Sequence, residues 1–354
     1  MGKLYSSLKF FGFPQHLEAV RRQELLPPVQ VRVKPINHCN HDCWYCAYRV
    51  SNLKLGAEMD ERDTIPGAKM AEIVEDFIGM GVKAVTFSGG GEPTLYKPLP
   101  ASIERLAEGG IKIGCLTNGS NLKGRVAEAF AAHGTWVRVS LDGYDGPSYA
   151  QARRVPEDTF GKLLANLRDF AARGSTCVLG AAYIIDQSNW AHTADICRIL
   201  KEIGLNHVKL SGVIVGNDAA ENNAYHDGIQ KAVREEIEKA KELADGRFAI
   251  IDHYHSLAER FDKPYTICPN IQFTPVIGAD CMVYSCHDKA YTRSGALGSI
   301  AERSFREFWL SEENQARVYG IDPSRDCRHH CMDHVKNLTI LDYLAIDPDH
   351  AMFA

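Results

Sequence analysis

No apolar run in the 354-residue chain approaches the ~20 residues that a membrane-spanning helix needs, so no membrane partner is expected. Lys3 to Pro14 lacks the apolar core and cleavage site of a secretory signal. A basic excess is also missing. The chain has 40 Lys and Arg against 45 Asp and Glu, a net charge of −5, so there is no basic field for nucleic acid. It contains no internal repeat or low-complexity tract. With 45% hydrophobic and 24% charged residues it is neither disordered nor collagen-like. The expectation is a soluble, cytoplasmic protein with one large domain and a smaller appendage.

Cysteine, by contrast, is abundant. A reducing compartment disfavours disulfides, so eleven thiols need another explanation. Cys39, Cys43 and Cys46 lie within eight residues, and Cys268, Cys281, Cys286, Cys327 and Cys331 occupy the last quarter. Cys115, Cys177 and Cys197 are isolated and read as small buried hydrophobes. Two thiol groups suggest two metal sites.

Between Val29 and Ser211, β-branched runs alternate with helical spacing. Strands are expected at Val29–Lys34, Lys83–Phe87, Ile111–Thr117, Trp136–Leu141, Thr176–Ile185 and His207–Leu210. Helices are expected at Ala68–Met80, Leu99–Gly109, Lys123–His133, Phe160–Arg173 and Asn189–Ile203, with a polar helix at Gly228–Leu243. Gly109-Gly110, Gly134 and Gly174 are placed to end three helices in left-handed caps. This alternation predicts an α/β fold, a partial (β/α)6 TIM-like barrel with a parallel sheet. The expected division is an N-terminal extension (1–28), the barrel (29–247) and a small cysteine-rich domain (248–354).

Four unusual sequences follow predicted strands: Cys39-x3-Cys43-Trp44-Tyr45-Cys46, Ser88-Gly89-Gly90-Gly91-Glu92-Pro93, Thr117-Asn118-Gly119 and Ser140-Leu141-Asp142-Gly143. Carboxyl ends of parallel strands share one face, so these motifs imply one site. Three thiolates on one loop suit a [4Fe–4S] cube with one iron left open. Zinc, completed by His38 or His41, is the alternative.

The cysteine triplet together with Gly90-Gly91-Glu92-Pro93 resembles the radical S-adenosylmethionine superfamily, over roughly Val29 to Leu210. That resemblance implies that Cys39, Cys43 and Cys46 ligate a [4Fe–4S] cluster whose open iron takes the methionine moiety of S-adenosyl-L-methionine. It makes Tyr45 a cofactor-binding aromatic and places Gly90, Gly91 and Glu92 at the methionine ammonium. Thr117 and Ser140 fall at the positions that reach its carboxylate and ribose, or serve as turn-capping hydroxyls. Arg153 or Arg154 matches the arginine that relatives aim at the carboxylate.

Cys268-x12-Cys281-x4-Cys286 followed by Cys327-x3-Cys331 resembles the SPASM/twitch extension of that superfamily, with Cys281 where glycine is usual. The resemblance implies one auxiliary [4Fe–4S] cluster on Cys268, Cys286, Cys327 and Cys331. A zinc site using His329, His330 or His334 beside Cys327 and Cys331 is the alternative. Cys281 is either a catalytic hydrogen-atom donor or a packed small residue. The implied activity is cleavage of S-adenosylmethionine to a 5′-deoxyadenosyl radical that abstracts a substrate hydrogen, oxidising or epimerising a carbohydrate-like small molecule. A peptide-modifying enzyme is the alternative, disfavoured by the ~28 residues that precede the first strand. A C-terminal Gly-Gly is missing, which disfavours the molybdopterin-precursor cyclase. A non-catalytic iron–sulfur or zinc protein is a third reading, against which the Gly-Gly-Glu-Pro loop argues. The implied partner is an electron donor such as flavodoxin or ferredoxin. Tyr183, Asp186, Asn189, Ser211 and Asn217 are further candidates for substrate contact or structural hydrogen bonds.

Overall fold

The computed structural model describes residues 5–49, 56–254, 260–347 and 349–353. Seven parallel strands lie in chain order: β1 (Gln30–Val33), β2 (Ala84–Phe87), β3 (Lys112–Thr117), β4 (Trp136–Ser140), β5 (Val178–Ile185), β6 (His207–Gly212) and β7 (Ala249–Asp252). Beyond β1, β8 (Val276–Ile277) adds in parallel, and β9 (Met282–Tyr284) and β10 (Ala296–Ser299) follow antiparallel, making a ten-stranded sheet. Residues such as Val31, Val33, Ile113, Val137, Val139 and Ala181 are fully buried, as a helix-covered parallel sheet requires.

The six expected strands are β1 to β6. The seventh, β7, is a four-residue edge strand, half-buried and without alternation, and so gives little sequence signal. The expected helices form within a few residues, for example Gly67–Met80, Leu99–Glu108, Gly124–His133 and Asp158–Ala171. The helix Gly146–Arg153 was not anticipated. It has little apolar period and is started by a capping box in which Asp145 and Ser148 exchange hydrogen bonds.

One cap differs from expectation. Gly134 ends its helix with φ −67°, not left-handed. Glycine is needed there for space, because a Cβ would lie 2.6 Å from the Phe130 carbonyl oxygen and 2.9 Å from the Cys177 sulfur.

Residue 247 is not a break in the sheet, since β7 to β10 extend it on both edges. One apolar core likewise runs from the barrel into Ile277, Val283, Leu297, Phe305, Phe308 and Trp309. The helix Phe305–Trp309 packs on Gly67–Met80 through Phe77 and Phe305, whose ring centroids are 5.3 Å apart. Phe10, Leu17 and Val20 of the N-terminal extension pack with Phe273 and Ile340, tying the two ends of the chain together. Among the described residues no helix is long and apolar enough to cross a membrane.

Phe77 is 1% exposed, so Phe77→Ala leaves a cavity where barrel and C-terminal segment meet. The expected cost is about 3–5 kcal/mol in denaturant unfolding. A single shifted transition is expected for the whole chain, with no early release of the C-terminal segment.

Candidate active site

The thiol loop after β1 is held from three sides by main-chain hydrogen bonds. Asp42 and Trp44 donate backbone N–H bonds to the carbonyls of Arg153 and Ala152, at 3.1 and 3.3 Å. Gly91 and Glu92 donate theirs to Ile36 and His38, at 3.1 and 2.9 Å. The β3 loop joins through Asn118 Nδ2, which donates to Asn40 Oδ1 at 2.9 Å. The ends of β1, β2, β3 and β4 therefore meet at one site, as the four motifs required.

The glycine run is dictated by closeness. A Cβ on Gly91 would sit 2.0 Å from the His38 carbonyl oxygen, and one on Gly90 would sit 2.3 Å from Asn37 Oδ1. Only backbone without side chains can lie this near the thiol loop.

Glu92 occupies a different role from the one expected. Its carboxylate is 2% exposed. It accepts hydrogen bonds from Thr94 N (3.0 Å), Thr94 Oγ1 (2.5 Å), Thr117 Oγ1 (2.5 Å) and Asn118 N (2.7 Å). Four donors saturate it, and burial still raises its pKa above the usual carboxylate value. Glu92 is thus a clasp between the β2 and β3 loops. Thr117 is spent in the same clasp, since its hydroxyl also accepts from Gly119 N at 3.0 Å. Ser140 is half-buried at the end of β4.

Arg153, not Arg154, faces the thiols. Its Nη1 lies 3.4 Å from Cys43 Sγ, and its Nη2 donates to the Asp142 carboxylate in a buried ion pair. Tyr45 donates its hydroxyl to the same carboxylate, and Ile184 N donates to the other oxygen at 2.7 Å. Asp142 holds this position at φ +60° and was singled out from sequence only as part of a motif. Arg154 instead pairs with Asp42 at the surface, 3.0 Å away.

Burial pushes the Cys39 thiol up to about 11 and also raises Cys46. Metal binding needs thiolates, so cationic help is required, and Arg49 and Arg153 both favour the Cys46 thiolate. Ser88 Oγ and both ring nitrogens of His41 are buried with no hydrogen-bond partner among the described residues, which leaves polar capacity for a bound group. His38 is exposed. A cavity of about 470 Å³ opens beside the thiol loop, lined by Trp44, Gln151, Arg154, Asp186, Ser188 and Tyr225. Of the remaining candidates, Tyr183 and Asn189 are spent on structural hydrogen bonds, with Tyr183 Oη donating to the Asn189 carbonyl and Asn189 Nδ2 to Ile184 and Asp142. Ser211 and Asn217 are half-buried.

A second thiol group forms in the C-terminal segment. Burial, together with the charges of Asp288, Cys331, Cys268 and Cys327, raises the Cys286 thiol, so the four expected cysteines share one electrostatic neighbourhood. Lys289 and Lys263 bring positive charge to Cys327, and both are nearly fully buried. Asn337 Nδ2 donates to Cys268 Sγ at 3.3 Å. Donor atoms of Cys286, Asp288 and His329 lie within 4.8 Å of one another, so a single ion could also sit there. His334 is turned away, its Nδ1 paired with Tyr265 Oη at 3.2 Å.

Cys281 packs into the apolar core. It occupies the turn between β8 and β9 at φ +58°, which explains why glycine suits that position. Its sulfur is buried in the core, and the charges that act on it are Asp280, Lys69, Asp63 and Glu72. The tight turn and burial in the core favour the packed-residue reading of Cys281 over the hydrogen-donor one.

A sequence profile described as the radical SAM superfamily matches residues 33–200. Residues 33–200 thus carry a radical SAM domain. That superfamily uses a [4Fe–4S] cluster and S-adenosylmethionine. The chain is 34% identical over 120 residues to a GTP 3′,8-cyclase of Tolumonas auensis, covering 32% of this chain and 33% of that protein. It thus spans about a third of that relative's length. It is 22% identical to an Fe-coproporphyrin III synthase of Methanosarcina barkeri over 80% of this chain and 75% of that one. The fold matches Streptococcus suis SuiB, solved with its precursor peptide SuiA, at TM-score 0.59 and 16% identity, over 90% of this chain and 73% of that one.

Glu92→Gln turns an amide N–H₂ toward donors that need an acceptor. A loss of roughly 1–3 kcal/mol in urea unfolding of the metal-free protein is expected. The exposed Glu58→Gln should stay within about 0.5 kcal/mol of wild type. Wild-type stability in Glu92→Gln would contradict the clasp.

Proposed function

We propose that this radical SAM enzyme carries two [4Fe–4S] clusters and oxidises a small polar molecule of the carbohydrate class. The observation that carries the reading is the pair of cysteine sets, Cys39, Cys43 and Cys46 on the loop after β1 beside Arg153, and Cys268, Cys286, Cys327 and Cys331 in one electrostatic neighbourhood of the C-terminal segment. Cys39, Cys43 and Cys46 would hold the first cluster, leaving an iron for the cofactor's methionine moiety. Cys268, Cys286, Cys327 and Cys331 would hold the second. When bound, the first cluster and S-adenosylmethionine supply a 5′-deoxyadenosyl radical that takes a hydrogen atom from the substrate.

The chain's own residues bind, orient and shield. Arg153 neutralises thiolate charge at Cys43 while Asp142 fixes its guanidinium, and Tyr45 locks Asp142 in turn. The glycine run would present backbone to the cofactor's amino group, and Ser88 Oγ, buried and unpartnered among the described residues, offers a further polar contact. Trp44 walls the adjoining cavity, whose size suits a small ligand and whose Gln151, Arg154 and Asp186 suit hydroxyl groups. Oxidation is favoured over epimerisation because Cys281 is buried in the apolar core at the turn between β8 and β9. A cluster held by Cys268, Cys286, Cys327 and Cys331 would supply an acceptor for the substrate-derived electron.

A peptide substrate is the second reading, supported by the fold shared with SuiB, which was solved with a precursor peptide. A single zinc at Cys286, Asp288 and His329 would compete with the second cluster. Free thiols suit a reducing cytoplasm, where flavodoxin or ferredoxin could supply the first electron.

Anaerobic reconstitution should load about eight irons per chain, at four per cluster. Replacing Cys39, Cys43 and Cys46 together by Ala should leave about four, and a further Cys286→Ala should lower that count again. A folded triple variant holding zinc and no iron would overturn the second cluster.

A further inference from the structure

Lys34 is 1% exposed, and neither its charge nor its position belongs to either thiol group. It follows β1 directly. Its Nζ donates to the Gly89 carbonyl at 2.8 Å, at the head of the glycine run. It also donates to Tyr48 Oη at 2.5 Å and lies 4.3 Å from the centre of that ring. Tyr48 is two residues past Cys46, and its hydroxyl donates onward to the His287 carbonyl at 3.0 Å, beside Cys286. A continuous polar path of four groups therefore runs from the glycine loop through Lys34 and Tyr48 to the C-terminal thiol loop.

The charges around Lys34 come from both ends of that path. Burial and Arg32 oppose its protonation, whereas Asp288, Cys46 and Cys286 favour it. Cys46 belongs to the first group, and Cys286 to the second. A buried cation is costly unless anions or acceptors face it, and here the anionic partners are Asp288 and, once ionised, Cys46 and Cys286, one thiol from each group. Iron binding makes those thiols permanently anionic, which strengthens the hold on an ammonium between them.

We propose that Lys34 is a positioning residue shared by the two metal centres, its ammonium the common counter-charge of both and its hydrogen bonds to Gly89 and Tyr48 the tie that sets their relative placement. This rests on the two-cluster reading. A cation beside a cluster favours the reduced, more negative state, so Lys34 holds both midpoint potentials up.

The test is a redox titration of the reconstituted protein followed by electron paramagnetic resonance, the first cluster being identified by its response to S-adenosylmethionine. Lys34→Met should retain about eight irons yet move both midpoints to more negative values, and Lys34→Arg should return them toward wild type. Lys34→Gln, which keeps a donor for Gly89 but no charge, should shift both in the same direction and serves if the Met variant does not fold. Unchanged midpoints in an iron-replete variant would overturn the proposal, and so would a shift confined to one cluster. A wild-type protein with only about four irons would instead overturn the two-cluster reading, before any Lys34 variant is made.

Discussion

A parallel sheet delivers the carboxyl end of every strand to one edge, and the chemistry of this chain depends on that constraint. The strands themselves are nearly featureless apolar runs. Their ends carry the thiol loop, the glycine run, Thr117-Asn118 and Asp142. Because β1 lies inside the sheet, between β2 and β8, the same constraint brings the C-terminal extension against the barrel. The second thiol group is then joined to the first by backbone and buried side chains rather than by a flexible linker.

Burial sets the electrostatics. Thiols away from water resist ionisation, and Cys39 and Cys268 are pushed up to about 11 and 12 by desolvation. Each group answers with buried cations: Arg153 at Cys43, and Lys263 and Lys289 at Cys327. Carboxylates are handled differently. Glu92 is absorbed into a clasp of four donors, and Asp142 is held between Arg153 and Tyr45. Both carboxylates are spent on partners within the chain and so shape the site.

Much of this was legible in the sequence because it rests on spacing. The cysteine triplet, the glycine run, six strands and most helices have local signatures, and the structure brings them together as expected. What escaped depends on distant partners. Glu92 reads as a free carboxylate until Thr117 and Asn118 arrive from another strand. The choice of Arg153 over Arg154 turns on which side of a short helix faces Cys43. Cys281 is close in sequence to a proposed ligand, yet a left-handed turn sends it into the core. Lys34 matters through Tyr48 and His287, the latter more than 200 residues away.

The central claim is that two thiol groups hold two iron–sulfur clusters, only the first of which offers an iron to the cofactor. An anaerobic crystal structure with S-adenosylmethionine, measured on both sides of the iron edge, tests it most directly. The account predicts anomalous iron at two positions, one on Cys39, Cys43 and Cys46 with a fourth iron bound to the methionine moiety, and one enclosed by Cys268, Cys286, Cys327 and Cys331. Iron at the first position alone, with zinc on Cys286, Asp288 and His329, would contradict it.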